Sequence, residues 1–252
     1  MRVVAMVSPK GGVGKTTLTA NLSVLWRASE EGAGRTLVID LDPQNALRLH
    51  FGISPEEPRG LATTVAEGGG FDDAIFQTRY GVDCLPYGRS DRALRAEVDR
   101  RMREKPDWIA RNLAELEYDV VLIDNPPGPN LQMAQAVRAS DTVLMAFLSD
   151  AASFASLHLM QDYLRDMRPN LTKSPVKGFI VNQLDPLRPL SRDVVDLMRD
   201  GVGDDGTVWV VHYDVSVEEA LACGEPLGLR APDSVAIRDM QEIVEWLRTN
   251  QN

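Results

Sequence analysis

Two lysines and three glycines lie close together near the start of the chain, in the stretch SPKGGVGKTT. A glycine-rich loop between a strand and a helix can surround a phosphate with backbone N–H groups, and the helix N-terminus adds a favourable dipole. The ammonium of Lys15 would then reach the β- and γ-phosphates of a nucleotide, and the hydroxyl of Thr16 would ligate Mg²⁺. The common pattern GxxxxGK[ST] is not met at its first position, where Pro9 stands. The stretch therefore predicts a modified phosphate-binding loop, with Lys10 as an additional lysine.

Acidic and amide side chains follow three further apolar runs. Asp40 and Asp42 belong to DLDPQ, Asp124 begins DNPPG, and Asn182 follows VKGFIV. Carboxylates can orient an attacking water or organise the hydration of Mg²⁺, and a carboxamide offers a donor and an acceptor to a nucleobase edge. Three of these residues could instead have a purely structural role as capping residues. Either aspartate of the first pair could cap a helix, and Asn182 could cap a strand end in a turn.

The elements that must position these residues are predicted by apolar periodicity. Strands separated by helices pair in parallel through right-handed crossovers, and near-continuous apolar strands indicate a sheet covered on both faces. We therefore predict an α/β fold with one doubly wound, mostly parallel sheet and helices on both faces, as a single domain over residues 1–252. The candidate residues would gather at the carboxyl ends of the strands. The predicted strands are Arg2–Val7, Thr36–Ile39, a short one at Cys84–Leu85, Asp119–Ile123, Thr142–Leu148, Val176–Val181 and Thr207–His212. The predicted helices are Thr17–Ala28, one or two within Asp91–Leu116, Ser153–Met167 and Ser234–Leu247.

The composition is that of an ordinary globular protein. The 252 residues are 44% hydrophobic and 25% charged, which is enough for a full core and argues against disorder. The net charge of −10 disfavours nucleic acid and anionic lipid as general partners, although a local basic face stays open. Cys84 and Cys223 form no CxxC pair, so we expect two small buried side chains in a reducing cytosol, without zinc or an iron–sulfur cluster.

The chain contains no apolar run long enough to span a bilayer. The N-terminal stretch MRVVAMV is too short for a signal peptide, so we expect a soluble, cytoplasmic protein without an integral membrane segment. Gly52–Gly81 has the weakest pattern of the whole chain and is interpreted as a surface excursion.

The stretch KGGVGKTT, with its extra lysine, resembles the deviant Walker A motif of the ParA/MinD family of ATPases. The resemblance implies a P-loop NTPase fold, ATP and Mg²⁺ as ligands, and a homodimer that encloses ATP between its subunits. Lys15 would serve the subunit's own ATP, and Lys10 would reach the ATP of the facing subunit. By the same resemblance the nucleotide would be bound by Lys10, Gly11, Gly12, Val13, Gly14, Lys15, Thr16, Thr17 and the adenine-reading Asn182.

The acids also resemble motifs of this family. DLDPQ is similar to switch I, which implies that Asp42 orients the attacking water and that Asp40 lies near the Mg²⁺ shell. DVVLIDNPPG is similar to a Walker B strand, in which Asp124 holds Mg²⁺ through water. The family usually has Thr or Cys after this aspartate, so Asn125 leaves the detail of switch II open. The implied enzyme is a slow, dimerisation-dependent Mg²⁺-ATPase with catalytic residues Lys10, Lys15 and Asp42 and metal-site residues Thr16, Asp40 and Asp124.

Longer stretches resemble the BcsQ (YhjQ) subfamily of cellulose-synthase-operon ATPases. These stretches are DLDPQNALRLHFGI, SDAASFASL and EEALACGEPLGLRAPDSVAIRDMQEIVEWL. This resemblance implies a switch that supports the assembly or localisation of a bacterial cellulose secretion complex through accessory proteins at the inner membrane or cell pole. A ParA-type partition ATPase that binds DNA non-specifically is the runner-up, and an ATP-bound scaffold with incidental hydrolysis is a further alternative.

Other functions of the wider family find less support in the residues. The best DNA-binding candidate, Arg89–Lys105, has seven basic and four acidic residues, which on a helix predict a solvated face of mixed sign. A MinD-like membrane helix would be basic, whereas the last predicted helix carries Asp239, Glu242 and Glu245 and is expected to pack in the core. An iron–sulfur relative would place cysteines beside DNPPG, where there are none.

Overall fold

A computed structural model of the chain describes residues 1–29 and 34–250. One sheet, with the strand order β3-β4-β2-β5-β1-β6-β7-β8, runs through these residues. All of its neighbouring strands are parallel except β3 and β4. The strands are β1 (Arg2–Val7), β2 (Thr36–Asp40), β3 (Phe76–Gln77), β4 (Val82–Leu85), β5 (Val120–Asp124), β6 (Thr142–Leu148), β7 (Val176–Leu184) and β8 (Thr207–His212).

Helices cover both faces of the sheet, as predicted. Helices α1, α8, α9 and α10 contribute to the apolar cluster on one face, and α2 to α7 contribute to the cluster on the other. The strands between the two layers are therefore buried on both sides, which is why they are apolar almost throughout. The helices are α1 (Lys15–Ala28), α2 (Leu61–Glu67), α3 (Arg92–Glu104), α4 (Trp108–Ala114), α5 (Leu131–Ala139), α6 (Ala151–Met167), α7 (Pro189–Val202), α8 (Ser216–Ala222), α9 (Leu227–Arg230) and α10 (Val235–Thr249).

Most predicted elements are present, with small differences at their ends. Helices α3 and α10 begin one residue after the predicted starts, because Asp91 and Ser234 are N-caps whose side chains accept from backbone N–H groups. The predicted helical region Asp91–Leu116 divides into α3 and α4. Strand β7 extends three residues beyond its predicted end.

The helices α2, α5, α7, α8 and α9 are additional to the predicted ones. Four of them have nine residues or fewer, which is too short for a clear helical period. The exception is α7, whose 14 residues bury Val194, Val195, Met198 and Val202 at helical spacing, so its signal was present in the sequence.

The interpretation of Gly52–Gly81 as a surface excursion is wrong. This segment contains α2, whose residues Leu61, Ala62 and Val65 are buried, and Phe71 is buried after it. Its apolar residues thus join the main core, but glycines and prolines break the run before a helical period becomes visible. The expectation of two buried cysteines is half correct, since Cys84 in β4 is buried whereas Cys223 is exposed.

The last helix packs in the core, as expected for an apolar stripe on a helix too acidic to bind a membrane. Ile237, Met240, Val244 and Leu247 are all buried against α1 and the sheet. Burial of such side chains stabilises the fold by about 1.5–3 kcal/mol each. Within residues 1–29 and 34–250, none of the helices has both the length and the apolar character that crossing a membrane requires.

Candidate nucleotide-binding site

The loop between β1 and α1 has a backbone that only glycine adopts easily. Gly12 and Gly14 have left-handed φ angles of 76° and 85°. A Cβ atom on Gly14 would lie 2.3 Å from Nδ2 of Asn182, so a side chain is also excluded for lack of space. The first turn of α1 contains no acidic residue and its N-cap has no side-chain hydrogen bond. Its N-terminal N–H groups are therefore available to an anion.

The entrance of this loop is held by backbone contacts. The Ser8 hydroxyl donates to the Lys10 carbonyl at 2.6 Å, and the Gly128 N–H donates to the Ser8 carbonyl at 2.8 Å. The loop is thereby tied to the segment that follows β5. The ends of β1 and β5 thus hold the loop in position.

Lys15 is the first residue of α1 and is only 7% exposed. In the described part of the chain its ammonium has no hydrogen bond or ion pair. Burial lowers the pKa of Lys15, while the charges of Asp124 and Asp42 act in the opposite direction. A buried cation without a direct partner is costly unless an anion neutralises it. This geometry fits a phosphate at the adjacent N-terminus of α1.

Thr16 and Asp124 form the best candidate for a Mg²⁺ site. The Thr16 hydroxyl donates to Oδ2 of Asp124 at 2.6 Å, while Oδ1 of Asp124 is buried without a partner. Burial is the main cause that raises the pKa of Asp124 to about 6, against the opposing effects of Thr16 and Lys15. A hydrated cation would satisfy the free oxygen and favour the ionised carboxylate. In the described ranges, no group of three or more His, Cys, Asp or Glu side chains could hold a metal ion.

Asp40 lies beside Asp124, since the two residues are register partners at the ends of β2 and β5. Both of its carboxylate oxygens are used locally, because Oδ1 accepts from the Asp42 N–H at 2.8 Å and Oδ2 accepts from the Leu47 N–H at 3.1 Å. Burial, with the nearby Asp124, raises the pKa of Asp40 well above its usual range. Asp40 therefore shapes the turn after β2. Its role near Mg²⁺ stays a prediction.

Asp42 follows the end of β2 and is partly exposed. Its Oδ1 accepts from the Gln44 N–H at 2.9 Å, which closes a small turn. Its other oxygen has no hydrogen bond to the residues that the structure describes and remains free to bind water. The local capping role and the predicted water-orienting role are thus compatible, since each uses a different oxygen.

The ammonium of Lys10 is held by an acidic residue outside the phosphate loop. Its Nζ donates to both carboxylate oxygens of Asp150 at 2.9 Å. Asp150 is also the N-cap of α6, where Oδ1 accepts from the Ser153 N–H at 2.6 Å. Burial acts to raise the pKa of Asp150, but the hydrogen bonds from Lys10 and Ser153 outweigh it and leave the pKa below its ordinary value. No sequence signal paired Lys10 with Asp150.

Asn182 lies directly beside Gly14 in the phosphate loop. Its Nδ2 donates one hydrogen to the Val13 carbonyl at 2.8 Å, so the carboxamide keeps Oδ1 and a second N–H for a ligand. A donor-and-acceptor contact to adenine is compatible with this arrangement and stays a prediction. A cavity beside Asn182 adjoins the phosphate loop and is lined by Gly14, Thr17, Leu18, Asn182, Gln183, Val211, His212, Tyr213, Asp214, Val217, Glu218, Ala236 and Met240.

The sequence analysis missed the contribution of β8 to this cavity. His212, Tyr213 and Asp214 come at or just after the carboxyl end of β8 and line the cavity. The signal was available, since HYDVS is a polar stretch after an apolar strand, as at the other candidate positions.

Asn125 is fully buried behind Asp124. Its Nδ2 donates to the Met6 carbonyl at 3.1 Å, which connects the end of β5 to β1, and its Oδ1 has no partner. The residue that departs from the family pattern therefore links two central strands.

The basic segment Arg89–Lys105 forms a face of mixed charge, as predicted. In α3, Arg100 pairs with Glu97 and Glu104 at 2.6 Å, and Arg101 pairs with Glu97 at 2.9 Å. These arginines are largely neutralised by their own helix.

Comparison with known proteins places this geometry in context. Residues 1–247 match the family model described as cellulose biosynthesis protein BcsQ. The chain is 29% identical over 233 residues to the chromosome partitioning protein ParA of Caulobacter vibrioides, covering 90% of this chain and 86% of that protein. It is 27% identical over 259 residues to BcsQ of Salmonella typhimurium, covering 98% and 94%. The septum site-determining protein MinD of Pyrococcus horikoshii, solved with Mg-ADP, has the same fold, with a TM-score of 0.78, 24% identity and coverage of 98% and 95%.

Proposed function

Because the chain belongs to the family of cellulose biosynthesis proteins BcsQ, we propose that it is a Mg²⁺-dependent ATPase switch. The switch dimerises around ATP and supports the assembly or localisation of a cellulose synthesis complex. The observation that carries the ATPase proposal is the contact of the Thr16 hydroxyl with a buried carboxylate, Asp124, beside the unpaired cation of Lys15. This combination has no evident structural purpose without a bound phosphate and metal.

The residues of the site divide the chemistry between them. The N–H groups at the start of α1 and the ammonium of Lys15 would neutralise the β- and γ-phosphates. Thr16 and Asp124 would hold Mg²⁺, which supplies positive charge between the phosphate oxygens. The free oxygen of Asp42 would orient the attacking water in line with the γ-phosphate.

The position of Lys10 supports a dimeric switch. Within one protomer its ammonium binds Asp150 and does not contribute to the phosphate loop. The side chains of Lys10 and Asp150 are 32% and 45% exposed, so their ion pair is weak enough to exchange for a stronger anion. The triphosphate of a facing subunit is such an anion. Hydrolysis would then depend on dimerisation, because a positioned cation stabilises the charge that develops on the phosphoryl oxygens.

Protein partners are favoured over DNA by the surface charge. The net charge is −10, and three of the five arginines of α3, namely Arg100, Arg101 and Arg103, form ion pairs with acids of the same helix. Non-specific DNA binding requires cations that are free to neutralise phosphates. The similarity to the Caulobacter vibrioides ParA keeps partition as the second candidate. An ATP-bound scaffold would differ from both in showing stable ATP binding without turnover, even with its partners present.

A direct test uses the Asp42→Ala variant with ATP and Mg²⁺, because loss of the water-orienting carboxylate should trap the ATP-bound dimer. We expect a dimer by light scattering and no binding to non-specific duplex DNA near physiological salt. Steeply salt-dependent DNA binding by the dimer alone would move partition to first place. Failure to dimerise with ATP would contradict the switch.

The cellulose role needs a test in the cell. Replacement of the chromosomal gene by a Lys15→Gln variant should abolish cellulose secretion while chromosome segregation stays normal. The matched control is Lys173→Gln, since Lys173 is an exposed lysine that pairs with Asp141 and lies outside the site. Normal secretion in the Lys15→Gln strain would contradict the proposed role.

A further inference from the structure

Three leucines are exposed on α7 and in the turn before it. Leu187 is 87% exposed, and Leu190 and Leu197 are 56% and 45% exposed. Leu190 and Leu197 are seven residues apart, which places them on one side of the helix and about 10 Å apart along its axis. Single exposed leucines are common on protein surfaces, whereas a group of them marks an interaction site. These three residues are called the leucine patch below.

The turn that carries Leu187 has a defined conformation. The Leu187 N–H donates to Oδ1 of Asp185 at 2.9 Å, and the Arg188 N–H donates to the Asp185 carbonyl at 3.1 Å. The guanidinium of Arg192, in the first turn of α7, donates to the Pro186 carbonyl. These hydrogen bonds fix the backbone of the turn, so it presents Leu187 to solvent in a set position.

Three aspartates lie beside the leucine patch on the outer face of α7. Asp193, Asp196 and Asp200 are all exposed, and their spacing of three and four residues places them along one side of the helix. Asp193 and Asp200 are each three residues after a leucine of the patch, so the two groups are neighbours on the helix surface. Of these three acids, only Asp196 has an ion pair to the residues that the structure describes, with Arg199 at 3.4 Å. The three aspartates are called the acidic stripe.

We propose that the leucine patch and the acidic stripe form a docking site for a basic amphipathic helix of a partner protein. The apolar side of such a helix would cover the leucines, and its Lys or Arg side chains would meet the unpaired aspartates. A second copy of this chain fits less well, because the acidic stripe would face itself in a symmetric contact. The same negative charge disfavours DNA and anionic lipid. This inference goes beyond the proposed ATPase chemistry and does not depend on it.

The test measures peptide binding by fluorescence anisotropy. The probe is a labelled peptide of about 18 residues, or five helical turns, that contains only leucine and lysine, with the leucines on one helical face. One control peptide has glutamate in place of lysine, and a second has the original composition in scrambled order. We expect wild type to bind the probe at least about tenfold more tightly than either control, since each control lacks one of the two complementary features. Equal binding of the scrambled peptide would mean general attraction to an acidic protein and would overturn the docking site.

Two double variants locate the binding on α7. Leu190→Ser with Leu197→Ser should weaken binding of the probe about tenfold or more, because two apolar side chains would no longer be buried by it. Asp193→Asn with Asp200→Asn should weaken binding about threefold and reduce its dependence on salt. Since all four side chains are exposed, both variants should keep a melting temperature close to that of wild type.

Leu159→Ser and Asp166→Asn are the matched controls. Leu159 is 67% exposed and Asp166 is an exposed acid, and both lie on the neighbouring helix α6. These variants should bind the probe with the wild-type affinity. Wild-type affinity in both double variants of α7 would overturn the docking site.

Further outcomes separate this inference from the proposed function. If the double leucine variant bound the probe normally but failed to dimerise with ATP, the leucine patch would belong to a contact between subunits, which would also overturn the docking site. If wild type bound the probe with the expected selectivity but did not bind ATP, the ATPase proposal would fail and the docking site would stand.

Discussion

Asp150→Asn should strengthen ATP-driven dimerisation, although the residue is remote in sequence from the phosphate loop. Asp150 holds the Lys10 ammonium at 2.9 Å through both carboxylate oxygens. If Lys10 must leave this carboxylate to reach the ATP of a facing subunit, then the ion pair opposes dimer formation. Asparagine removes the charge but remains a good N-cap for Ser153, so α6 should stay intact.

The magnitude follows from the exposure of the pair. With side chains 32% and 45% exposed, the ion pair belongs to the solvent-screened class, which contributes roughly 0.2–1 kcal/mol. A symmetric dimer breaks two such pairs, so the expected gain is about 0.4–2 kcal/mol. This corresponds to a dimer dissociation constant roughly 2–30-fold lower.

The assay is analytical ultracentrifugation of the Asp42→Ala background with saturating ATP and Mg²⁺, with and without Asp150→Asn. Asp107→Asn is the matched control, because Asp107 is an N-cap residue about as exposed as Asp150 and loses its ion pair with Arg111 of α4. The control should leave dimerisation unchanged. An Asp150→Asn dimer that is no tighter than the control, or is weaker, would refute the idea that Asp150 competes with ATP for Lys10.

Three further perturbations address the site itself. Asp42→Ala should bind ATP as tightly as wild type but lose at least about 100-fold in turnover, measured by phosphate release; unchanged turnover would remove its water-orienting role. Gly14→Ala should abolish ATP binding and lower the melting temperature, because its Cβ would collide with Asn182. The control is Gly68→Ala, at a similar φ of 82° but in open space. It should lower the stability only by the backbone strain of a left-handed alanine. Asp124→Asn should raise the stability of the nucleotide-free protein at pH 7.5. Burial raises the carboxyl pKa from 3.8 to about 6, so the folded state holds the proton more tightly and wild-type stability falls as pH rises through this window, by about 3 kcal/mol in all. Denaturant titrations at pH 4 and 7.5 should show the gain only at pH 7.5, and equal gains at both would contradict the assignment.

Much of the fold was accessible from local pattern. All strands except the two-residue β3 were predicted, because short, nearly continuous apolar runs are typical of strands in a sheet that is buried on both faces. The phosphate loop was found because glycines, Lys15 and Thr16 are contiguous between a strand and a helix. The short helices α2 and α8 escaped because seven residues contain too few turns to establish a helical period.

What the sequence alone determined is thus the local chemistry of the site. The conformation of the phosphate loop depends on residues that are contiguous in sequence. The left-handed glycines and the start of α1 could therefore be predicted from KGGVGKTT alone. The same holds for the placement of Asp40 and Asp124 at strand ends.

Only the tertiary structure decided which polar groups are free. Lys10 meets Asp150, Asn182 meets Val13, and each pair lies more than a hundred residues apart in sequence. Such contacts depend on the order β5-β1-β6-β7-β8, which brings the ends of distant strands together. Each N–H that one neighbour uses is one fewer for a ligand, so these contacts set how many donors Lys10 and Asn182 have left. The role of each side chain in the site therefore depended on neighbours that no local pattern specifies.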